Sequence, residues 1–189
     1  YTSYPTVPVW QDGFAEDAHR RALAEVGAGG ELSLYTHVPF CRSLCHFCAC
    51  NRVITRDPAL PARYLDAIER ELSTTRDAIR HAPECVQLHW GGGTPTHLEP
   101  TQIERLFRMT TDRFPLAAGA EVSIEVDPRV TRPDHVEALV DCGFNRISMG
   151  VQDTEPRTQA AIHRIQPFEQ TRDLTELVRA RGIERVSFD

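Results

Sequence analysis

The sequence contains no lysine, and all 21 of its basic residues are arginine. This absence excludes a Schiff-base lysine and a phosphate-loop lysine from the segment. It also makes every fixed cation a planar guanidinium, which suits carboxylate groups. The net charge of −6 argues against nucleic-acid binding driven by bulk charge.

Long hydrophobic runs are also missing. No stretch approaches the roughly 18 apolar residues that a membrane-spanning helix needs, and no signal-peptide pattern opens the chain. We therefore expect no membrane span. The first residue is not methionine, and the last residues, "RVSFD", resemble the middle of a strand. We expect the sequence to be part of a longer protein.

Four of the six cysteines crowd into the short segment "FCRSLCHFCACN", at Cys41, Cys45, Cys48 and Cys50. The other two, Cys85 and Cys142, stand alone in apolar runs and are predicted to be small buried side chains. This uneven distribution argues against a disulfide scaffold and favours a reducing cytoplasm with a metal role for the cluster of thiols.

The spacing of these thiols allows two kinds of metal site. Thiolates select iron–sulfur clusters, zinc or copper(I). Cys41, Cys45 and Cys48 could hold a cubane cluster and leave one iron open, because such clusters usually take four cysteines. Cys50 follows Cys48 by only two residues, and in an extended chain it would point away. A structural zinc site with four cysteine ligands is the alternative.

Strand and helix patterns alternate after a polar N-terminal segment (1–30) and its probable loop at Gly27–Gly30. Apolar β-rich runs predict strands at 32–38, 85–90, 121–126, 146–151 and 185–189. Helical periodicity predicts helices at 61–79, 101–114 and 168–182. A further helix is predicted to be capped by Thr131, to have Pro133 in its first turn and to end at Gly143. This alternation predicts an α/β fold with a parallel sheet or barrel over 31–189.

Polar or glycine-rich residues follow each predicted strand. They include the cysteine segment, "GGGTP" at Gly91–Pro95, Glu125 and Gln152. In parallel α/β folds the loops at the carboxyl ends of the strands converge on the active site. The glycines would let the backbone approach a ligand closely. We therefore expect the site at this edge of the sheet.

These motifs together resemble the radical S-adenosylmethionine (SAM) superfamily, and within it the oxygen-independent coproporphyrinogen III oxidases. The resemblance rests on C-x3-C-x2-C between "LYTHVPF" and "GGGTP", and on "YTSYPT", "SIEVDPR", "GFNRISMGVQD" and "SFD". It implies a partial parallel (β/α) barrel of the radical SAM type that is truncated in its fifth strand. It further implies that Cys41, Cys45 and Cys48 hold a [4Fe-4S] cluster whose open iron binds SAM.

The resemblance also assigns other residues to the binding of SAM. It places Tyr35 beside the cluster or SAM, Phe47 against an adenosine, and Gly92, Gly93 and Thr94 at the methionyl group. Glu125 would contact the ribose. A second SAM molecule would be bound by residues later in the chain, at Gln152, Arg164 and Asp189.

The reaction implied by the resemblance is the oxidative decarboxylation of two propionates of coproporphyrinogen III to give protoporphyrinogen IX in heme biosynthesis. SAM would supply a 5'-deoxyadenosyl radical after electron transfer from a reductase partner. Cys50 would serve the reaction without binding the cluster. Related radical SAM heme chaperones commonly lack this fourth cysteine, so "CAC" favours the oxidase. Ala49 departs from the glycine that the family usually has at this point.

Overall fold

The computed structural model describes residues 6–10, 13–26, 30–81 and 83–189. The first five residues and most of the predicted glycine loop at 27–30 lie outside these ranges. The described strands are β1 (Glu31–Val38), β2 (Phe40–Cys41), β3 (Val53–Ile54), β4 (Glu84–Gly92), β5 (Leu116–Val126), β6 (Arg146–Met149) and β7 (Arg185–Phe188). The described α-helices are α1 (Glu16–Glu25), α2 (Ala59–Ala78), α3 (Pro100–Thr111), α4 (Pro133–Asp141), α5 (Pro156–Ala161) and α6 (Phe168–Ala180).

Five strands form one sheet in the order β1-β4-β5-β6-β7, and every neighbouring pair is parallel. Each consecutive pair in this order is joined by at least one helix, as parallel strands require. The five predicted strands and the parallel α/β class are therefore confirmed. All five carboxyl ends lie along one edge of the sheet, and that edge carries the polar segments predicted from the sequence.

Apolar side chains from the strands and the helices form one continuous core. Leu88, Trp90 and Ile124 on the strands are fully buried, and Trp90 packs edge-to-face on Phe144 at 4.9 Å between ring centroids. Burying a side chain of this size stabilises the fold by roughly 1.5–3 kcal/mol. Cys85 is also fully buried, as predicted.

Local signals at the helix ends were predicted with mixed success. Gly143 and Gly182 have φ of +85° and +88°, the left-handed conformation expected where a helix ends. The predicted cap at Thr131 is wrong, because α4 begins one residue later, after Arg132. The Thr131 hydroxyl instead donates to the backbone oxygen of Asp127 at 2.9 Å. This bond stabilises the turn that leaves β5.

Several described elements were not predicted. Helix α1 lies in the segment read only as polar, and Leu23 and Val26 at its end pack against the core. The short pair β2–β3 and the six-residue helix α5 carry too few residues for a periodic signal. Among the described residues, none of the helices has the length and apolar character needed to cross a membrane.

Candidate active site

A cavity of about 410 Å³ lies at the carboxyl ends of the strands. The four cysteines of the loop, the segment Gly92–Thr94, and Phe47, Glu125, Gln152, Arg164 and Asp189 all line this cavity. Tyr35 is the one predicted site residue that does not line it. The topology thus brings together residues that are up to 148 positions apart, from Cys41 to Asp189. This cavity is the candidate active site.

The cysteine loop is closed at its base by the β2–β3 pair. The amide of Val53 donates to Pro39 O at 2.8 Å, and the amide of Thr55 donates to Cys41 O at 3.0 Å. A second attachment lies further along, where the His46 amide donates to Ile162 O at 2.9 Å. The loop is therefore fixed between the sheet edge and the end of α5.

The glycines after β4 allow two close contacts. A Cβ at Gly93 would lie 2.7 Å from the backbone carbonyl of Pro39, so only glycine lets β4 approach the β1–β2 connection this closely. Gly92 has φ +114°, which strains any other residue, and its amide donates to Glu125 Oε2 at 3.2 Å. Glycine is thus required here by close contacts within the protein, in addition to any close approach of a ligand.

The cysteine thiols differ in exposure. Cys45 is 8% exposed, Cys41 and Cys48 are partly buried, and Cys50 is exposed; none of the four forms a disulfide. Burial raises the pKa of Cys41, and the Thr94 hydroxyl, with Oγ1 3.6 Å from Sγ, opposes this rise. An extended chain would turn Cys50 away from the other thiols, but the chain bends at this residue, and Cys50 lines the same cavity as Cys41, Cys45 and Cys48.

The loop supplies soft thiol donors of the kind that iron–sulfur clusters bind. A cubane cluster takes each cysteine on a separate iron. Cys41, Cys45 and Cys48 line one cavity as soft donors and fit such a cluster.

Two arginines lie against the most buried of these thiols. Arg129 Nη2 is 3.6 Å and Arg164 Nη1 is 3.8 Å from Cys45 Sγ. Both guanidinium groups also pair with the Asp127 carboxylate, at 2.6 Å and 3.3 Å. Burial alone would raise the pKa of Asp127, but the two arginines hold this pKa below its ordinary value. Asp127 is therefore an ionised group inside the site.

Sequence reasoning assigned no individual role to Asp127 or Arg129, although "DPR" directly follows a predicted strand. The signal was present, since a strand end in a parallel sheet places such residues at the site edge. Arg164 is 7% exposed, and its Nη2 donates to Gly150 O at 2.5 Å. Its Nε is buried without a hydrogen-bond partner among the described residues.

Glu125 is held by a short network that ends in the cavity. His89 Nε2 lies 3.4 Å from Glu125 Oε1, and His89 Nδ1 lies 2.7 Å from Ser123 Oγ. The hydrogen bond from His89 is the main cause that lowers the pKa of Glu125, and the Gly92 amide adds to it. The carboxylate is therefore ionised and able to accept hydrogen bonds from a ligand.

Tyr35 supports this network from outside the cavity. Its hydroxyl lies 3.0 Å from His37 Nδ1, and its ring stacks on His89 at 5.8 Å between centroids. Burial and the nearby charge of Glu125 raise the pKa of Tyr35. Tyr35 and His89 are register partners on β1 and β4, which explains the stacking. The contact of Tyr35 with the site thus passes through His89.

The far side of the cavity is formed where β6 and β7 end. Gln152 has φ +69°, which is uncommon for a residue other than glycine, and its backbone amide donates to Asp189 O at 2.7 Å. The Asp189 carboxylate accepts from Ser148 Oγ at 3.1 Å. Backbone strain of this kind tends to occur at functional sites. The three residues predicted for a second SAM, including Arg164, all line this side.

Residues 35–189 match the family model of the radical SAM superfamily. The match covers most of the chain, and the chain belongs to this superfamily. Members of the superfamily carry a [4Fe-4S] cluster and SAM, and the donor set described above fits both. The α/β fold predicted for the chain is accordingly the radical SAM fold.

Within the superfamily, the chain is similar to oxygen-independent coproporphyrinogen III oxidases. It is 40% identical over 193 residues to the enzyme of Helicobacter pylori strain J99, covering all of this chain and 42% of that protein. It is 45% identical over 169 residues to the Escherichia coli enzyme, covering 89% of this chain and 36% of that protein. The chain thus spans less than half the length of these relatives.

The solved structures agree with this relationship. The structure of coproporphyrinogen III oxidase from Escherichia coli, described as a radical SAM enzyme, superposes with a TM-score of 0.93 at 41% identity. All of this chain and 43% of that chain are covered. A radical SAM methyltransferase from Kitasatospora setae has a TM-score of 0.50 at 18% identity, which shows a shared fold alone.

Proposed function

We propose that this chain is the cluster- and SAM-binding part of an oxygen-independent coproporphyrinogen III oxidase. The observation that carries the proposal is the single cavity that collects three soft thiols, the Gly92–Thr94 segment and Glu125. The similarity to the enzymes of Helicobacter pylori and Escherichia coli supports this substrate among the many of the superfamily. Residues 31–189 form the functional domain, and residues 1–30 precede it.

Cys41, Cys45 and Cys48 are the proposed ligands of the [4Fe-4S] cluster. Their three sulfurs leave one coordination position for another ligand, since a cubane usually takes four cysteines. When bound, the cluster and SAM supply hydrogen-abstracting radical chemistry, which no side chain of the protein provides. The role of the protein is to bind, to orient and to exclude water.

Residues around the cavity orient SAM in this proposal. The ionised Glu125 carboxylate accepts hydrogen bonds from the ribose, and Gly92, Gly93 and Thr94 leave room for the methionyl group beside the cluster. Phe47 is about half exposed within the cavity lining, so its ring is free to pack against an adenine. Tyr35 acts indirectly, by stacking on the histidine that holds Glu125.

A second SAM site is proposed on the opposite side, at Gln152, Arg164 and Asp189. The support is the buried Nε of Arg164, which has no hydrogen-bond partner within the described ranges, whereas the other two nitrogens of the guanidinium are engaged. A buried donor without a partner costs free energy, so a ligand that satisfies it gains affinity. The Asp189 and Gln152 side chains add an acceptor and an amide nearby.

The substrate of the proposed enzyme is coproporphyrinogen III, and two of its propionates would each lose a hydrogen atom, carbon dioxide and one electron to become vinyl groups. A reductase partner supplies the electron for each radical event. Cys50 lines the cavity and is exposed, so it is the cysteine placed to face the substrate. We infer a catalytic role for it apart from cluster binding. Free thiols throughout the described residues fit a reducing cytoplasm.

Anaerobic reconstitution of the complete protein tests the cluster. We expect about four irons per chain and a reduced-state spectrum that changes when SAM is added. Cys45→Ser should lose the iron, whereas Cys142→Ser is the matched control and should keep it, because Cys142 packs against the core away from the cavity. One tightly bound zinc in place of iron would support the rival zinc module and reject the proposal.

Product analysis separates the oxidase from a heme chaperone. The reconstituted protein is supplied with coproporphyrinogen III, SAM and a reductant, and vinyl product is measured. We expect protoporphyrinogen IX, and we expect Cys50→Ser to retain the iron but lose turnover. If the unsubstituted protein cleaves SAM but forms no vinyl product, the oxidase assignment fails and the heme-chaperone hypothesis gains support.

A further inference from the structure

Arg129 makes a contact with the cysteine loop that the proposed binding roles do not use. It lies in the turn after β5, 84 residues beyond Cys45, and its Nη2 donates to Cys45 Sγ at 3.6 Å. The side chain of Arg129 is 18% exposed, and Cys45 is 8% exposed. The contact is therefore shielded from water, where a hydrogen bond and a charge act more strongly than at the surface.

Asp127 fixes the direction of this guanidinium. Arg129 Nε lies 3.0 Å and 3.1 Å from the two carboxylate oxygens, and Nη2 lies 2.6 Å from Oδ2. The backbone amide of Arg129 donates to the same carboxylate at 2.9 Å. A two-point contact of this kind holds the planar group in one orientation. The remaining hydrogen of Nη2 is thereby aimed at the sulfur.

The charges of this group favour a negatively charged sulfur. Arg129 and Arg164 contribute two positive charges and Asp127 contributes one negative charge, so one positive charge stays unbalanced beside Cys45. An unbalanced charge in a buried setting is costly. A metal-bound cysteine sulfur is anionic and would balance it. Hydrogen bonds to the sulfurs are among the factors that set the potentials of iron–sulfur clusters.

We propose that Arg129, positioned by Asp127, raises the reduction potential of the cluster by donating a hydrogen bond to the Cys45 sulfur. The inference rests on the proposed function, because it requires a cluster on Cys45. Reduction adds one electron from the reductase, or from dithionite in a test, and no bond forms or breaks. The added negative charge spreads onto the sulfurs, so a donor and a cation beside one of them stabilise the reduced state.

The test is a potentiometric titration of the complete reconstituted protein, followed by the electron paramagnetic resonance signal of the reduced cluster. Arg129→Gln removes the positive charge and the planar guanidinium group that contacts both Asp127 and Cys45. We expect the equilibrium constant for reduction to fall about tenfold, which equals about 59 mV for one electron. Arg129→Lys keeps the charge but cannot contact both Asp127 oxygens and the sulfur, so a smaller fall is expected.

Arg113→Gln is the matched control. It removes the same charge from another partly buried arginine, whose partners are Ser73, Glu69 and the backbone oxygen of Met109. Arg113 does not line the cavity. We expect the cluster potential of this variant to equal that of the unsubstituted protein. A similar fall in both variants would show a general charge effect and would overturn the inference.

The outcomes separate this inference from the proposed function. An unsubstituted protein without iron rejects the proposed function, and the inference falls with it. Full iron content with an unchanged potential in Arg129→Gln overturns the inference alone. If Arg129→Gln loses its iron, Arg129→Lys decides, because a lowered potential supports the inference and an unchanged one overturns it. Loss of iron from both variants would show a ligand-holding role instead of a tuning role.

Discussion

The carboxylate of Glu125 depends on two neighbours for its charge. His89 and the Gly92 amide donate to it, and His89 is the main cause of its lowered pKa. In His89→Ala this pKa should rise. When the solution is acidified, SAM binding that requires the ionised Glu125 carboxylate should then be lost at a higher pH than in the unsubstituted protein. A hydrogen bond to a charged group is worth roughly 1.5–3 kcal/mol when buried, and Glu125 is partly exposed, so we expect about a three- to tenfold weaker SAM affinity at neutral pH.

Equilibrium dialysis of SAM against the reconstituted protein, from about pH 5 to about pH 8, measures this effect. His89→Gln is the control, because its amide nitrogen can occupy the place of Nε2 and keep the hydrogen bond to Glu125. We expect this variant to resemble the unsubstituted protein. A pH profile of His89→Ala that coincides with the unsubstituted profile would contradict a positioning role for His89.

Single residues were predictable from the sequence where chemistry and spacing agree. The four cysteines of the loop, Glu125 and Gln152 belong to short motifs at strand ends, and all of these residues line the cavity. Tyr35 differs, because its place depends on the register between β1 and β4, which spacing along one strand does not reveal. The pairing of Arg129 with Cys45 likewise joins two distant segments.

The crossing of β4 with the β1–β2 connection depends on one glycine. Gly93→Ala would place a Cβ 2.7 Å from the Pro39 carbonyl, and neither backbone segment can move without shifting its strand. We expect the variant to lose about 1–3 kcal/mol of unfolding free energy, as in other overpacked sites, and to bind less iron. Urea denaturation and iron analysis measure both effects. Gly13→Ala is the control, since a Cβ there meets nothing within 4 Å; equal stability of the two variants would refute the contact.

The end of α5 holds the cysteine loop through two stacked histidines. His163 Nδ1 donates to Leu44 O at 2.7 Å, and its ring stacks on His46 at 5.3 Å between centroids. In His163→Ala we expect the amides of residues 44–48 to exchange hydrogen about five- to tenfold faster, which corresponds to one lost hydrogen bond. Hydrogen-exchange mass spectrometry measures this change.

Two further variants test the cause of this faster exchange. His163 has φ +55°, so His163→Gly removes the same contacts while relieving backbone strain. We expect it to speed exchange in the loop as His163→Ala does. His19→Ala, on α1, is the control and should leave residues 44–48 unchanged. If exchange in the loop is unaffected in both His163 variants, α5 does not hold the loop.

Elements with a repeated apolar period were predicted well, whereas α1 and the shortest elements were missed. The helix at 61–79 corresponds to α2, and the strand at 121–126 corresponds to the end of β5, because each repeats its apolar period several times. β2 and β3 have two residues each, and each strand is recognisable only from its pairing with the other. Helix α5 has only six residues. The β2–β3 pair and α5 hold the cysteine loop, so the parts that shape the site were the least predictable.

At the scale of the whole molecule, the alternation of strands and helices predicted the sheet, and the sheet in turn gathers the site. Five parallel strands end at one edge, so the loops that follow them add their functional groups to the same cavity. The electrostatic balance of this edge could not be predicted in the same way. It depends on which of the 21 arginines reach a buried carboxylate, and this is decided by the folded backbone.

The buried ion group at Asp127 should make global stability sensitive to acid. Its pKa is lowered in the folded protein, so its stabilising effect is complete above the unfolded value of about 3.9 and is lost as the pH falls through the folded value. Asp127→Asn leaves the buried Arg164 and the partly buried Arg129 without their carboxylate partner and should cost about 3–5 kcal/mol near neutral pH. Because the carboxylate itself protonates in strong acid, we expect this difference to shrink below about pH 4. Chemical denaturation of the cluster-free complete protein across this range measures it.

Asp173→Asn is the control. It removes an exposed ion pair with Arg172 and should change stability little at any pH. A difference for Asp127→Asn that persists unchanged into strong acid would show that lost packing, not charge, causes it.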